Sequence, residues 1–371
     1  MAKKTGGRAA KTDYRALSRA LRENGPQRLY MLWGEEDYLR ERFFAEIKKV
    51  CLSGGGETFN YHRLSGVDFD VRAFSEAVDA LPFLGGHSLV EVRDFDPAAV
   101  RGAKAQAGTK ADTGRESRAH ENKKDPAAVL TDILADIPES CTVVLLLPVG
   151  TEPDGRLALV KTIKKLGSAI EFTTQPESAL IGWISQHFAA LGKQIAPPAC
   201  RRLILVSGSQ MTRLLPEIEK IAAGTKGETV TETDIDRLAQ HLPEADVFAM
   251  TDRLADRNYD AAAALLAELL ASGENEIMLL ALIGAQMRRL YVARVALEEK
   301  RGAEFVMQAC NLKMSFIADK LLRSARGFTE PQLADAVALC AEYDYRLKSS
   351  GGDQRDILKE LLLRLAAGAA A

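Results

Sequence analysis

No Cys-x-x-Cys spacing occurs among the five cysteines, Cys51, Cys141, Cys200, Cys310 and Cys340, so neither a zinc site nor a disulfide framework is suggested. That usage fits a reducing cytoplasm. No apolar run approaches the ~20 residues needed to cross a bilayer, and the polar N-terminus lacks a hydrophobic stretch of signal-peptide type. The chain is therefore expected to be soluble, cytoplasmic and free of membrane contact. Its histidines, at positions 62, 87, 120, 187 and 241, have no metal-ligand spacing and form no H-E-x-x-H. There is also no G-x-S-x-G elbow and no G-x-x-x-x-G-K-[ST] loop. These absences argue against a resident metal or cofactor, and they shift the reading from enzyme towards interaction protein.

Charge of one sign is missing too. A net charge of −2 sets up no global field for nucleic acid, so any such contact would need a local patch. Residues 1–13 form a basic tail, with Lys3, Lys4, Arg8 and Lys11 against Asp13, expected to be disordered. Residues 101–125 carry seven basic and four acidic side chains and nothing bulky and apolar, which predicts a mobile surface insertion.

What is present is a chain of 371 residues, 47% hydrophobic, long enough for two or three domains. Residues 14–174 alternate strand and helix patterns. Leu29 onward reads as a strand, Phe59 to Leu64 as a short strand, Val71 to Ala80 as a helix, and Ser88 to Val92 and Cys141 to Leu147 as strands. The last run is apolar on both faces, the mark of a central parallel strand covered by helices on each side. A doubly wound α/β domain is predicted. Residues 175–243 then read as a small module of about four helices, and residues 244–371 as helical throughout, with apolar stripes that indicate helix packing.

One turn has the layout of a phosphate-binding loop without its chemistry. In RLYMLWGEEDYLRERFF an apolar strand leads through Gly34 into a helix, yet Gly34 is followed by Glu35, Glu36 and Asp37. Those carboxylates would repel a polyphosphate, and Arg40 and Glu41 stand where Lys and Ser/Thr belong. The acids suit the positive end of a helix. Either the turn is an ordinary strand-to-helix connection or it is a nucleotide site that has lost its nucleotide.

A second segment stands out, Leu81-Pro82-Phe83-Leu84-Gly85-Gly86. Pro82 blocks continuation of the preceding helix and the paired glycines free the backbone, which puts Phe83 and Leu84 on a tight corner. Both could pack inward as a lid, or both could form an apolar knob aimed at a partner's pocket.

Taken together, LYMLWGEEDYLRE, ALPFLGGHSLVEVRDF, SGSQMTRLLPEIEKIAAG and ALCAEYDYRLKSSGGDQRDILKELLLRL resemble, in order and spacing, the delta subunit of the bacterial sliding-clamp loader, part of the DNA polymerase III holoenzyme. The resemblance implies an AAA+-like (P-loop NTPase-type) α/β domain without a functional P-loop, a helical lid domain and a helical collar domain. It implies a replication subunit that neither binds nor hydrolyses ATP. Such a subunit docks into a five-subunit ring with ATP-binding loader subunits and delta-prime, grips the sliding clamp through the wedge matching Phe83 and Leu84, and opens the clamp for loading onto primed DNA. His87-Ser88 departs from the family, whose members often carry a basic residue there. Two other readings stay in view, an AAA+-type nucleotidase with a non-standard site and a helical scaffold of another nucleic-acid complex. Delta-prime itself fits less well, because neither its zinc-binding cysteine cluster nor its Ser-Arg-Cys motif is found.

Overall fold

A computed structural model describes residues 14–83, 86–101, 125–349 and 352–370. The basic tail, Leu84 and nearly all of the charged insertion lie outside the described residues. The chain divides into two compact units, residues 1–174 and 175–371.

In the first unit the order is α1 (Tyr14–Asn24), β1 (Leu29–Gly34), α2 (Asp37–Cys51), α3 (Glu57–Asn60), β2 (Tyr61–Ser65), α4 (Val71–Asp79), β3 (Ser88–Arg93), α5 (Pro126–Ala135), β4 (Cys141–Leu146), α6 (Ala158–Leu166) and β5 (Ser168–Phe172). The strands form one parallel sheet in the order β2-β3-β4-β1-β5. β4 is the middle strand and is buried at every position, as its uninterrupted apolar run predicts. Strand alternation divides the side chains between two layers. Leu29, Met31 and Trp33 of β1, with Val143 and Leu145 of β4, share a core with Phe74, Leu130, Leu159 and Ile163 from the helices of one face. Tyr30 points the other way and meets Phe43 of α2 edge-on, the centroids 6.1 Å apart.

The order in which the chain adds strands reverses beside β1. From there the chain runs out to β2 at one edge, returns through β3 and β4, then crosses to β5 on the far side. Ligands of open α/β sheets bind at the carboxyl ends of the strands at such a switch point. The Gly34 turn lies there.

One boundary differs from the sequence expectation. Phe59 and Asn60 do not begin a strand; they end the helical turn α3, and β2 starts at Tyr61. The turn forms because Gly56, at φ 76°, reverses the chain and its carbonyl accepts from both Phe59 N and Asn60 N at 2.9 Å.

The second unit contains α7 (Glu177–Ala190), β6 (Gln194–Ile195), α8 (Pro197–Ser207), α9 (Met211–Gly224), β7 (Thr229–Val230) and α10 (Glu232–Leu238). β6 and β7 pair in parallel, a two-residue ladder too short to have shown in the sequence. Thr231 and Asp234 form a reciprocal capping box at the start of α10. Next come α11 (Pro243–Ala255), α12 (Tyr259–Ala271), α13 (Glu276–Glu298), α14 (Ala303–Ala309), α15 (Ser315–Ser324), α16 (Glu330–Ser349) and α17 (Gln354–Ala370). The long α13 runs through their shared core with Leu280, Ile283, Met287 and Leu290. Glu177 accepts from Arg201 Nε at 2.7 Å and from Ser315 Oγ at 2.8 Å, joining α7 and α8 to the helices that follow. Among the described residues no helix is long and apolar enough to cross a membrane.

Candidate functional site: the Gly34 turn and an aromatic corner

Gly34 sits at φ 126°, and a Cβ there would lie 2.2 Å from Phe172 O. Only glycine allows β1 and β5 to approach this closely, so the residue is required by packing and not by a phosphate. The backbone around it is already engaged: Glu36 N donates to Phe172 O at 2.9 Å, and Gly34 O accepts from Gly150 N at 3.3 Å. Glu35 accepts from Thr174 Oγ1 at 3.0 Å, and Glu36 is buried.

Arg40 stands at the position of a phosphate-binding lysine, but its guanidinium turns into the protein. Nη1 donates to Leu147 O at 2.6 Å, just past the end of β4, while Nη2 donates to Asp37 Oδ1 at 2.5 Å and lies 3.5 Å from Glu41. The side chain is 6% exposed. Glu41, at the hydroxyl position of a P-loop, holds Arg93 of β3 in a bidentate pair at 2.9 and 2.8 Å. Burial opposes ionisation of Glu41, yet Arg93 and Arg40 outweigh it and keep the carboxyl below its ordinary range. Arg93 also pairs with the buried Glu91, which accepts from Tyr61. The carboxyl edge of the sheet is thus tied together by the protein's own charges. Among the described residues no group of three His, Cys, Asp or Glu side chains could hold a metal.

Phe83 lies at the opposite edge, ahead of the amino end of β3. Its side chain is 51% exposed, so it does not pack fully inward. Its backbone is held on both sides by the Asn60 amide: Phe83 N donates to Asn60 Oδ1 at 2.7 Å, and Asn60 Nδ2 donates to Phe83 O at 3.3 Å. Phe59, itself 62% exposed, leans on the Phe83 ring with centroids 4.8 Å apart. Sequence reasoning reached Phe83 but passed over Phe59 and Asn60. The turn residues Gly54-Gly55-Gly56 before them were the available signal.

His87 gives this corner no cation. Thr142 Oγ1 donates to Gln27 O at 3.0 Å, so it accepts from His87 Nε2–H at 2.7 Å, and burial pushes the imidazole's pKa down. The ring stays neutral near pH 7 as a result.

Fold and site together define a parallel α/β module whose Gly34 turn is held by its own side chains, followed by helical modules. Two family models match the chain, "DNA polymerase III, delta subunit" over residues 30–173 and "DNA polymerase III delta subunit, C-terminal domain" over residues 244–365. The chain belongs to the DNA polymerase III delta-subunit family, accessory components of the clamp loader of that polymerase. It is 24% identical to DNA polymerase III subunit delta of Bacillus subtilis over 353 residues, 94% of this chain and 95% of that protein. It is 19% identical to a probable subunit delta of Aquifex aeolicus over 340 residues, 91% of this chain and 90% of that protein. The solved structure of the Bacillus subtilis clamp loader delta protein shares the fold at TM-score 0.57 and 20% identity, covering 96% of this chain and all of the other.

Proposed function

We propose that this chain binds the sliding clamp through the corner at Phe83 and Leu84 and opens the clamp ring for loading onto primed DNA, with no ATP hydrolysis of its own. The observation that carries this reading is Phe83, an aromatic side chain half exposed on a corner fixed by part-buried hydrogen bonds to Asn60. Rigid aromatic anchors of this kind concentrate binding energy. Residues 244–371 join it to ATP-binding loader subunits and delta-prime in a five-subunit ring in the cytoplasm. Residues 14–174, 175–243 and 244–371 serve as α/β, lid and collar domains.

Opening follows from differential affinity. The corner shifts a closed-to-open equilibrium only by binding the open clamp interface more tightly. A fully buried Phe or Leu gains roughly 1.5–3 kcal/mol, and Phe83 has only about half its surface left to bury. The corner therefore anchors the contact, while strain stored in the clamp supplies the rest of the opening.

The test is the double substitution Phe83→Ala with Leu84→Ala, assayed for equilibrium binding to the clamp of the same source. A loss of roughly 2 kcal/mol with an unchanged melting temperature is expected. Unchanged clamp retention would sink the assignment. Loss of folding would restore the lid reading.

A further inference from the structure

Phe59 lies outside the four motifs that carry the family resemblance, yet it is at least as exposed as Phe83 and its ring rests against that of Phe83. Resting on the clamp-binding reading above, we propose that Phe59 and Phe83 form one two-ring contact element that enters an apolar cleft of the clamp, and that Asn60 is its positioning residue.

Three observations support this. First, two aromatic rings 24 residues apart in sequence are brought into tilted contact and then left more than half exposed, at 62% and 51%. A pair formed only to shield itself would not leave both outer faces open. Second, Asn60 is 1% exposed and uses its amide on the Phe83 backbone and not on the ring. It fixes where the ring starts without covering it. A contact fixed before binding loses little conformational freedom when it docks. Third, a Cβ at Gly56 would stand 3.0 Å from Asn60 Nδ2 and 3.7 Å from Phe83 O, so the glycine turn leaves room for the amide. Glycine, Asn60 and both rings form one local unit.

The occupant follows from chemistry. Apolar ring faces with a neutral His87 on the same segment suit an apolar cleft and not an anionic surface such as a phosphate backbone.

Equilibrium binding of purified full-length variants to the clamp tests the idea. Phe59→Ala should weaken binding about tenfold or more, Phe59→Tyr should restore it, and neither should move the melting temperature. Asn60→Ala should weaken binding in the native background, but add nothing once Phe83 is alanine, because its effect runs through Phe83. If Phe83→Ala loses binding while Phe59→Ala binds as the native chain does, the two-ring element is refuted and the clamp reading survives. If Phe83→Ala also binds normally, the clamp reading itself has failed. An equal Asn60→Ala loss with and without the Phe83 ring would refute the positioning role.

Discussion

Replacing Arg40 with methionine keeps most of the side-chain volume and removes only the guanidinium, so it isolates the charge that fastens the turn after Gly34. Three contacts go: Leu147 O at 2.6 Å, Asp37 at 2.5 Å and Glu41 at 3.5 Å. The Leu147 carbonyl is left without its charged donor, a loss of about 1–3 kcal/mol. Glu41 keeps its two bonds to Arg93, and Asp37, 33% exposed at a helix N-terminus, regains water, so the carboxylates add at most about 1–2 kcal/mol. The total is near 3 kcal/mol, the lower end of the range for breaking a buried pair. Trp33 in β1 reports on this unit, and Trp183 in α7 belongs to the other. Urea unfolding followed by tryptophan fluorescence in a Trp183→Phe background therefore reads the α/β unit alone. Arg40→Lys should lie between, since an ammonium cannot fork between a carbonyl and a carboxylate. A loss under about 1 kcal/mol for methionine would refute the view that Arg40 fastens the carboxyl edge of the sheet.

Gly34→Ala should destabilise the same unit by roughly 2 kcal/mol or more, because the new Cβ meets Phe172 O at 2.2 Å in a backbone region hostile to L side chains; an unchanged melt would contradict this. ATP titrated into the native chain should give no saturable binding up to millimolar levels, and a micromolar Kd would revive the nucleotidase reading. In the second unit Arg346 and then Tyr343 hold the Glu360 carboxyl down at about 2. A carboxylate lowered on folding adds stability above its ordinary 4.5 and loses it as pH falls from there towards 2. Glu360→Gln should therefore lower the helical melting temperature at pH 7 and converge with the native chain near pH 2, and a pH-independent gap would contradict the assignment.

The middle strand was readable because β4 is apolar on both faces, a pattern with one physical solution in a helix-covered sheet. The Gly34 turn was readable as a place, since acids stood where phosphate ligands belong. That Arg40 folds inward was not, because its carbonyl partner is Leu147, far along the chain. Phe59 was misread as strand for a related reason. A single turn of E-T-F-N is too short to show helical period, and its stability comes from Gly56 and from a hydrogen bond to a residue 23 positions away. Phe83 could be singled out from its proline and glycines, and Gly54-Gly55-Gly56 marked a turn before Phe59, but the contact between the two rings exists only in three dimensions.

Asn60 holds Phe83 by its peptide N–H and C=O, the two groups every residue except proline possesses. The mount is therefore indifferent to what it carries. Leucine, methionine or tyrosine at position 83 would be presented from the same point with the same hydrogen bonds. Contact chemistry at this corner can change one substitution at a time, to follow the shape of a partner's cleft, while the fold beneath keeps its geometry.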